Sequence, residues 1–133
     1  MVQSHSGEAD ATVSEAFLDA FADAWNRHDV EALMQFMADD CRFDASAGPE
    51  IFGTRYVGRD AVRAGFVDVF RAYPDAHWAN ARHVIVGARG VSEWTFTGTR
   101  PDGTRIEVEG CDLFTFRAGK IDVKNSYRKN RST

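Results

Sequence analysis

The chain has 133 residues, of which 44% are hydrophobic and 27% charged, as expected for one globular domain rather than a disordered chain. Its formal net charge of −4 argues against a nucleic-acid partner, because phosphate binding needs clustered lysine and arginine. No apolar run is long enough to cross a bilayer, so we expect no membrane partner, and the polar start MVQSHSGEADAT is unlike a targeting signal, so we expect a cytoplasmic protein.

Cysteine and histidine spacing gives no sign of a metal site. Cys41 and Cys111 are too few for a disulfide framework, and we interpret both as reduced thiols. No histidine has a companion at ligand spacing, and Ser46 and Ser92 lack the context of a catalytic triad. We therefore expect neither a metal nor a cofactor.

The chain divides into three predicted segments. Residues 1–12 are predicted to be a disordered tail, 13–128 a single domain, and 129–133 a basic C-terminal tail. The cluster of Arg128 with the two basic residues that follow is interpreted as a solvated, frayed end.

Three helices are predicted in the first half of the chain. Thr12 and Glu15 have the spacing of a capping box for the first helix. Asp29 suits the N-cap of the second helix, and the third begins after Gly58 and ends before Pro74. The predicted buried stripes, at helical spacing, are Phe17, Phe21, Trp25 and His28; Val30, Leu33, Phe36 and Met37; and Val62, Phe66, Val69, Phe70 and Tyr73.

The second half of the chain has the two-residue period of strands. A short strand is predicted at 41–44, and four longer ones at 77–86, 91–100, 104–117 and 120–128. Glycine, proline and aspartate in the intervening segments mark turns. Helices followed by a meander of long strands predict an α+β fold, with three N-terminal helices packed on a strongly curved antiparallel sheet.

One acid lies on an apolar strand face. Asp112 shares its face of the third long strand with valine, isoleucine and phenylalanine side chains. A tight turn at 118–119 would place Asn125 and Tyr127 inward beside Asp112, and the preceding hairpin would place Trp94 inward opposite Gly110. Burying an unpaired charge costs several kcal/mol, so Asp112 must be hydrogen-bonded, protonated or facing a cavity.

Two interpretations of this cluster stay open. Gly98 and Gly110 remove bulk from the same face, which indicates an internal pocket. Alternatively, Asn125 and Tyr127 neutralise Asp112 in a closed polar network that binds no ligand.

Four further residues are candidates for the pocket wall. Phe21 and Trp25 from the first helix and Phe66 from the third would supply apolar contact. Core packing is the stronger single explanation for Phe21 and Trp25, and a place in a cavity wall is compatible with it. With a four-residue turn at 87–90, His83 lies opposite Trp94 and faces inward, where it could exchange a proton with Asp112. The alternative, which is the more common case, is a solvated or packed histidine with no role in chemistry. A change of one residue in that turn would send His83 outward and bring Arg82 inside.

The order of these signals resembles a known family. The chain is similar to the SnoaL-like branch of the nuclear transport factor 2-like superfamily in the segments FADAWNRHDVEALMQFMADDCRFD, YVGRDAVRAGF, YPD, EWTFTGT and GCDLFTFRAGKI. This superfamily includes ketosteroid isomerases and polyketide cyclases. The resemblance implies a conical α+β barrel with an internal pocket, and a homodimer.

The resemblance also suggests roles for individual residues. Asp112 matches the pocket acid of ketosteroid isomerases, a carboxyl group that its apolar surroundings keep neutral, and the acid–base aspartate of SnoaL-like cyclases. Phe21 replaces the tyrosine that the isomerases carry in the first helix. Their proton-abstracting acid falls near Ala45, and the neighbouring Asp44 would lie on the other strand face.

These features suggest two functional hypotheses. In the first, the protein is an acid–base enzyme of cyclase or isomerase type that acts on a small hydrophobic carbonyl compound through Asp112. In the second, the same fold is a non-catalytic ligand-binding or protein-interaction module. In either case a homodimer is expected through the outer sheet face, where Cys111 and Leu113 point away from the helices.

Overall fold

A computed structural model describes residues 13–132 of the protein. The predicted disordered tail at 1–12 lies outside the described residues, and so does the Thr12 of the proposed capping box. The chain forms three helices and six strands: α1 Glu15–Asn26, α2 Val30–Met34, β1 Met37–Glu50, β2 Gly53–Val57, α3 Arg59–Ala72, β3 His77–Val86, β4 Arg89–Thr99, β5 Arg105–Arg117 and β6 Lys120–Arg128.

The six strands form one mixed sheet in the order β2-β1-β6-β5-β4-β3. Neighbouring strands are antiparallel except β1 and β6, which run parallel. The expectation of an antiparallel sheet closed into a strongly curved conical barrel is therefore wrong, because β2 and β3 remain as two separate edges. The predicted α+β class, with three helices packed on a sheet, is confirmed.

Side-chain caps determine where the first two helices begin. The Ser14 hydroxyl accepts a hydrogen bond from the Phe17 amide at 3.1 Å, so Ser14 caps α1. The Asp29 carboxylate accepts one from the Ala32 amide at 3.0 Å, which confirms its predicted role at α2.

The sequence underestimates the strands at the β1–β2 edge. β1 continues well past the predicted end at residue 44, and β2 was not predicted. The continuation, ASAGPE, is rich in residues that strands disfavour. Its extended conformation is instead stabilised by antiparallel pairing with β2. The four long strands begin and end within two residues of their predicted bounds. β6 also takes in Arg128, whose guanidinium lies 4.0 Å from the Phe96 ring centroid rather than in a frayed tail.

The main core lies between the helices and one face of the sheet. Aromatic rings dominate it, and Trp25 of α1 lies at its centre, 4.8 Å from Phe66 and 5.0 Å from Trp78 between ring centroids. This face of the sheet, covered by the helices, is called the inner face below, and the other the outer face.

Candidate functional site

Asp112 lies in the middle of β5 with its side chain on the inner face, as its strand position predicts. The residue is only 6% exposed. Trp94 Nε1 donates a hydrogen bond to Oδ2 at 3.0 Å, Lys124 Nζ donates to Oδ1 at 3.0 Å, and Ser126 Oγ donates to Oδ1 at 2.5 Å. The buried carboxylate is thus stabilised by three donors, one of which is a cation.

Lys124 is the partner that sequence reasoning missed. It is 5% exposed, and its Nζ also donates to Ser126 Oγ at 2.8 Å. The same nitrogen lies 4.8 Å from the ring centroids of both Trp25 and Phe43. Burial lowers the pKa of Lys124 below its ordinary value, while the charge and hydrogen bond of Asp112 act in the opposite direction.

A bulge in β6 brings Lys124 inside. Phe116 pairs with Ile121 as predicted, but Thr115 pairs with Val123, so Asp122 is an extra residue in β6. Because side chains alternate along a strand, one extra residue exchanges the two faces of everything that follows.

The predicted inward positions of Asn125 and Tyr127 beside Asp112 are therefore wrong. Asp112 pairs with Ser126 rather than with Asn125. Asn125 and Tyr127 lie on the outer face, where Asn125 Nδ2 donates to Tyr127 Oη at 3.2 Å, and Tyr127 is 52% exposed. The carboxylate is neutralised by a different pair, Lys124 and Ser126.

His83 faces inward, but by a different register from the one expected. The turn between β3 and β4 has two residues instead of four, so His83 pairs with Ser92 rather than with Trp94. Shifting the register by two residues keeps the His83 side chain on the same face of the sheet, whereas a shift of one residue would have moved it to the other face. Arg82 points outward and forms an ion pair with Glu93 at 2.8 Å.

His83 links the surface to the interior. Its Nε2 lies 2.9 Å from Asp19 Oδ1 on α1, and its Nδ1 lies 2.7 Å from Ser92 Oγ. The Asp19 side chain is 70% exposed and the His83 side chain 4% exposed, and Ser92 lies directly opposite Asp112 on the neighbouring strand. Ser92 therefore does have a histidine and an aspartate aligned with it, contrary to the sequence-based expectation.

The predicted aromatic wall is only partly assembled at the site. Phe21, Trp25 and Trp94 line the interior beside Asp112. The Trp25 indole N–H is buried without a hydrogen-bond partner among the described residues. Phe66 is fully buried beside Trp25 and belongs to the core rather than to the lining of the site.

Two small voids flank Lys124. The first void, of about 20 Å³, is lined by Ser92, Asp112, Trp25 and Lys124 among others. The second void, of about 40 Å³, lies toward Phe43 and Ser126. A void of about 15 Å³ or more can hold one water molecule, so the space beside the acid is the size of water rather than of a substrate. A larger depression of about 890 Å³ lies on the outer face and is lined in part by Cys111 and Tyr127.

The space expected from the two strand glycines is filled by neighbouring rings. A Cβ on Gly110 would lie 2.4 Å from an atom of the Trp94 ring, and one on Gly98 would lie 2.9 Å from an atom of the Tyr73 ring. The missing side chains allow these rings to pack closely on the strands and do not leave a pocket.

A second buried acid lies away from this site. Asp44 is 1% exposed and pairs with Asn125, which places it on the outer face as predicted. Arg55 donates to both of its oxygens, at 2.9 and 3.0 Å, and Arg42 lies 3.3 Å away. Asp44 and Arg55 thus form a structural ion pair on the opposite side of the sheet from Asp112.

No group of three histidine, cysteine, aspartate or glutamate side chains within residues 13–132 is placed to hold a metal ion. Over the same range, no helix has both the length and the apolar character needed to span a membrane.

The sequence and the fold both match known proteins. The family model of the SnoaL-like domain matches residues 18–123, which is most of the chain. The chain belongs to the SnoaL-like family. Its resemblance to the nuclear transport factor 2-like superfamily is thereby confirmed, whereas a comparison with curated proteins finds no match.

Solved structures share this SnoaL-like fold at low sequence identity. A candidate polyketide cyclase from Xanthomonas campestris pv. campestris is 23% identical, with 86% of this chain and 89% of that chain covered and a TM-score of 0.76. A second, from Pseudomonas putida, is 19% identical, with 89% and 92% covered and a TM-score of 0.78. A protein with a ketosteroid isomerase-like fold from Catenulispora acidiphila, in complex with trimethylamine, is 20% identical, with 87% and 86% covered and a TM-score of 0.74.

The SnoaL-like interior of this chain therefore combines an acid, a cation and a hydroxyl–imidazole link. Asp112 can accept a proton, Lys124 can donate one, and His83 connects Ser92 to an exposed carboxylate. The sequence offered one signal for Lys124, namely that a buried acid needs a cationic partner. Lys124 can be that partner only if the register of β6 is shifted by one residue, which turns its side chain inward.

Proposed function

We propose that this protein is an acid–base enzyme of cyclase or isomerase type, acting on a small hydrophobic carbonyl compound through Asp112. The observation that carries the proposal is the buried ion pair of Asp112 with Lys124 among aromatic rings. A buried ion pair rarely gains stability over apolar packing, and strongly perturbed titratable groups concentrate at functional sites.

The hydrogen bonds to Asp112 leave it able to react. Oδ1 is occupied by Lys124 and Ser126, whereas Oδ2 accepts only the Trp94 N–H among the described residues. A carboxylate oxygen can accept two hydrogen bonds, so Oδ2 retains a lone pair for a proton on the carbon beside a substrate carbonyl. The Lys124 ammonium and the Trp25 N–H, which has no hydrogen-bond partner within residues 13–132, are the candidate donors to the enolate oxygen that forms.

A buried acid must also exchange its proton with water between turnovers. Asp19, His83 and Ser92 form a hydrogen-bonded series from the surface to the strand position opposite Asp112. A water molecule fits the first void, which Ser92 and Asp112 both line. In the proposed enzyme this series returns the proton to solvent.

Substrate binding requires the aromatic wall to move, because the two voids hold only water-sized molecules. All three tryptophans of the chain line both voids. Tryptophan fluorescence therefore reports binding in the interior, and a panel of small hydrophobic ketones and aldehydes can be screened by fluorescence titration before turnover is measured.

The test compares Asp112→Asn with the wild type on the carbonyl compounds that bind. Loss of the acid–base group is expected to lower kcat by roughly 10²–10⁴-fold. Asp44→Asn is the matched control, since it changes a buried carboxylate on the outer face and is expected to keep the wild-type rate. Equal rates for Asp112→Asn and the wild type, with both proteins folded by circular dichroism, would overturn the proposal.

The small voids favour a second candidate, a non-catalytic module of the same fold. In that case the ion pair serves the core alone. Ligands would then shift the tryptophan fluorescence without turnover, or no member of the carbonyl panel would bind at all.

A further inference from the structure

We infer that Lys124 is a covalent site for small aldehydes and ketones, with its amine forming an imine to the carbonyl carbon. The substrate class rests on the proposed function, but the chemistry differs, because the carbonyl is bound covalently rather than only polarised. The inference is carried by the juxtaposition of Lys124 Nζ with a proton acceptor and two aromatic faces. The carbonyl compound reaches the nitrogen by the same movement of the aromatic wall that the proposed function requires.

The surroundings of Lys124 favour the neutral amine that such a reaction needs. The nitrogen is surrounded by the Trp25 and Phe43 rings and lies 3.0 Å from Asp112 Oδ1, which can take its proton. Transfer of that proton turns the buried ion pair into an uncharged amine and acid, and burial makes this uncharged state accessible from the ion pair. The lowered pKa of Lys124 has the same cause.

Few other charged groups of the described residues lie near this nitrogen. Asp112 is its ion-pair partner, Arg128 follows along the same strand face, and the Asp19–His83 pair lies beyond Ser92. Asp44 with Arg55 lies on the outer face. Within residues 13–132, Asp112 is the only carboxylate within hydrogen-bond distance of Nζ, and Ser126 Oγ is the second contact.

The covalent step balances with these groups alone. The Lys124 lone pair attacks the carbonyl carbon and forms a C–N bond, while the C=O electron pair moves to oxygen and takes the proton held by Asp112. The carbinolamine then loses its hydroxyl with a second proton as water. Of the three protons on the starting ammonium, one stays on the iminium nitrogen and two leave with the water.

The chain contains its own controls for this reaction. It has three lysines, Lys120, Lys124 and Lys129, and the first and last are exposed. Lys120 lies on the same strand as Lys124 and donates to the Gln35 carbonyl at the surface. A comparison of the three sites within one protein therefore separates burial and the Asp112 contact from general lysine reactivity.

The test is reductive trapping of the folded, full-length protein with acetaldehyde and sodium cyanoborohydride near neutral pH, followed by digestion and mass-spectrometric mapping of the ethyl group. Lys124 is expected to be ethylated about tenfold or more faster than Lys120 and Lys129, because more of its buried amine is uncharged and Asp112 lies within reach of its proton. The preference should shrink as the pH approaches the ordinary lysine range.

Two variants accompany the wild type. Lys124→Arg keeps the charge and should abolish the fast ethylation, whereas Lys120→Met should leave it unchanged. Guanidinium-unfolded wild type, which should label at all three lysines equally, verifies that each site is detected. Labelling of Lys120 and Lys129 with no ethyl group on folded Lys124 would overturn the inference.

The trapping experiment and the Asp112→Asn experiment test the two proposals independently. A loss of turnover in Asp112→Asn with no trapping at Lys124 keeps the acid–base enzyme and rejects the imine. Fast trapping at Lys124 with unchanged turnover in Asp112→Asn rejects the role proposed for Asp112 and keeps the amine site.

Discussion

Asp112 and Lys124 depend on each other at the residue scale. Each is almost fully buried, and the distance between Nζ and Oδ1 is 3.0 Å. Removing one partner leaves an unpaired charge in an apolar interior, whereas replacing both with apolar groups of similar volume removes the cost of burying them. The pair is therefore expected to be present for chemistry rather than for stability.

This dependence can be measured by unfolding in denaturant. Lys124→Met is expected to lower the free energy of unfolding by about 3–5 kcal/mol, and the double variant Lys124→Met/Asp112→Leu is expected to be as stable as the wild type or more stable. A double variant that is as unstable as the single one would contradict this expectation, because the pair would then be a net stabilising contact.

The same pair predicts a pH dependence with a definite sign. Burial lowers the pKa of Lys124 from its ordinary value of 10.5, so between the lowered value and 10.5 the unfolded chain binds more protons than the folded protein. Stability relative to the double variant should therefore rise with pH in that window and level off above it. A difference that falls with rising pH would show that Asp112 raises the lysine pKa more than burial lowers it.

At the scale of elements, local sequence specifies a helix cap but not the register of a strand. The Asp29 carboxylate caps α2 through the Ala32 amide and is also within 3.2 Å of Arg27. Register in β6, by contrast, is altered by the bulge at Asp122, whose side chain pairs with Arg117 across the hairpin. A cap is a contact between near neighbours, whereas a bulge depends on how the whole strand packs.

Asp29→Ala is expected to lower the free energy of unfolding by about 1 kcal/mol, because an N-terminal amide of α2 loses its acceptor. Asp23→Ala is the matched control, since Asp23 pairs with the same Arg27 at 2.7 Å but caps no helix. Its loss should be smaller, because exposed ion pairs contribute little. Equal losses for the two variants in thermal or chemical unfolding would assign the effect to Arg27 rather than to the cap.

At the scale of the whole molecule, the open sheet leaves its outer face uncovered by helices. Tyr127, Val84 and Val86 are more than half exposed, and Leu113 with Cys111 lies among them. Apolar groups on a long sheet face suit an interface between two copies of the chain. The homodimer inferred from the family resemblance stays a prediction.

Light scattering at micromolar concentration is expected to give twice the monomer mass. Leu113→Glu should dissociate the dimer, since it places a charge at the centre of the outer face. Ile51→Glu, at the fully exposed tip of the β1–β2 hairpin, should not. A wild-type protein of monomer mass would exclude the dimer, and dissociation by Ile51→Glu alone would move the interface to the hairpin.

Local sequence by itself determined the helices, the long strands and the inward position of Asp112. These features depend on contacts between near neighbours, so the sequence indicates them directly. They include the helical and strand periods, the Asp29 cap, and the residues that end α3 and form the turns. The family resemblance added the outer-face position of Asp44, because alternation along a strand turns it away from the side of Ala45, where the isomerases carry their acid.

Only the tertiary structure decided what surrounds Asp112. One extra residue at Asp122 exchanges Asn125 and Tyr127 for Lys124 and Ser126, and a two-residue turn places His83 on Ser92. The rings of Trp94 and Tyr73 fill the space beside the strand glycines, and β2 and β3 end the sheet as two separate edges. These outcomes depend on pairing and packing between distant segments, where a shift of one residue reverses a face at little local cost.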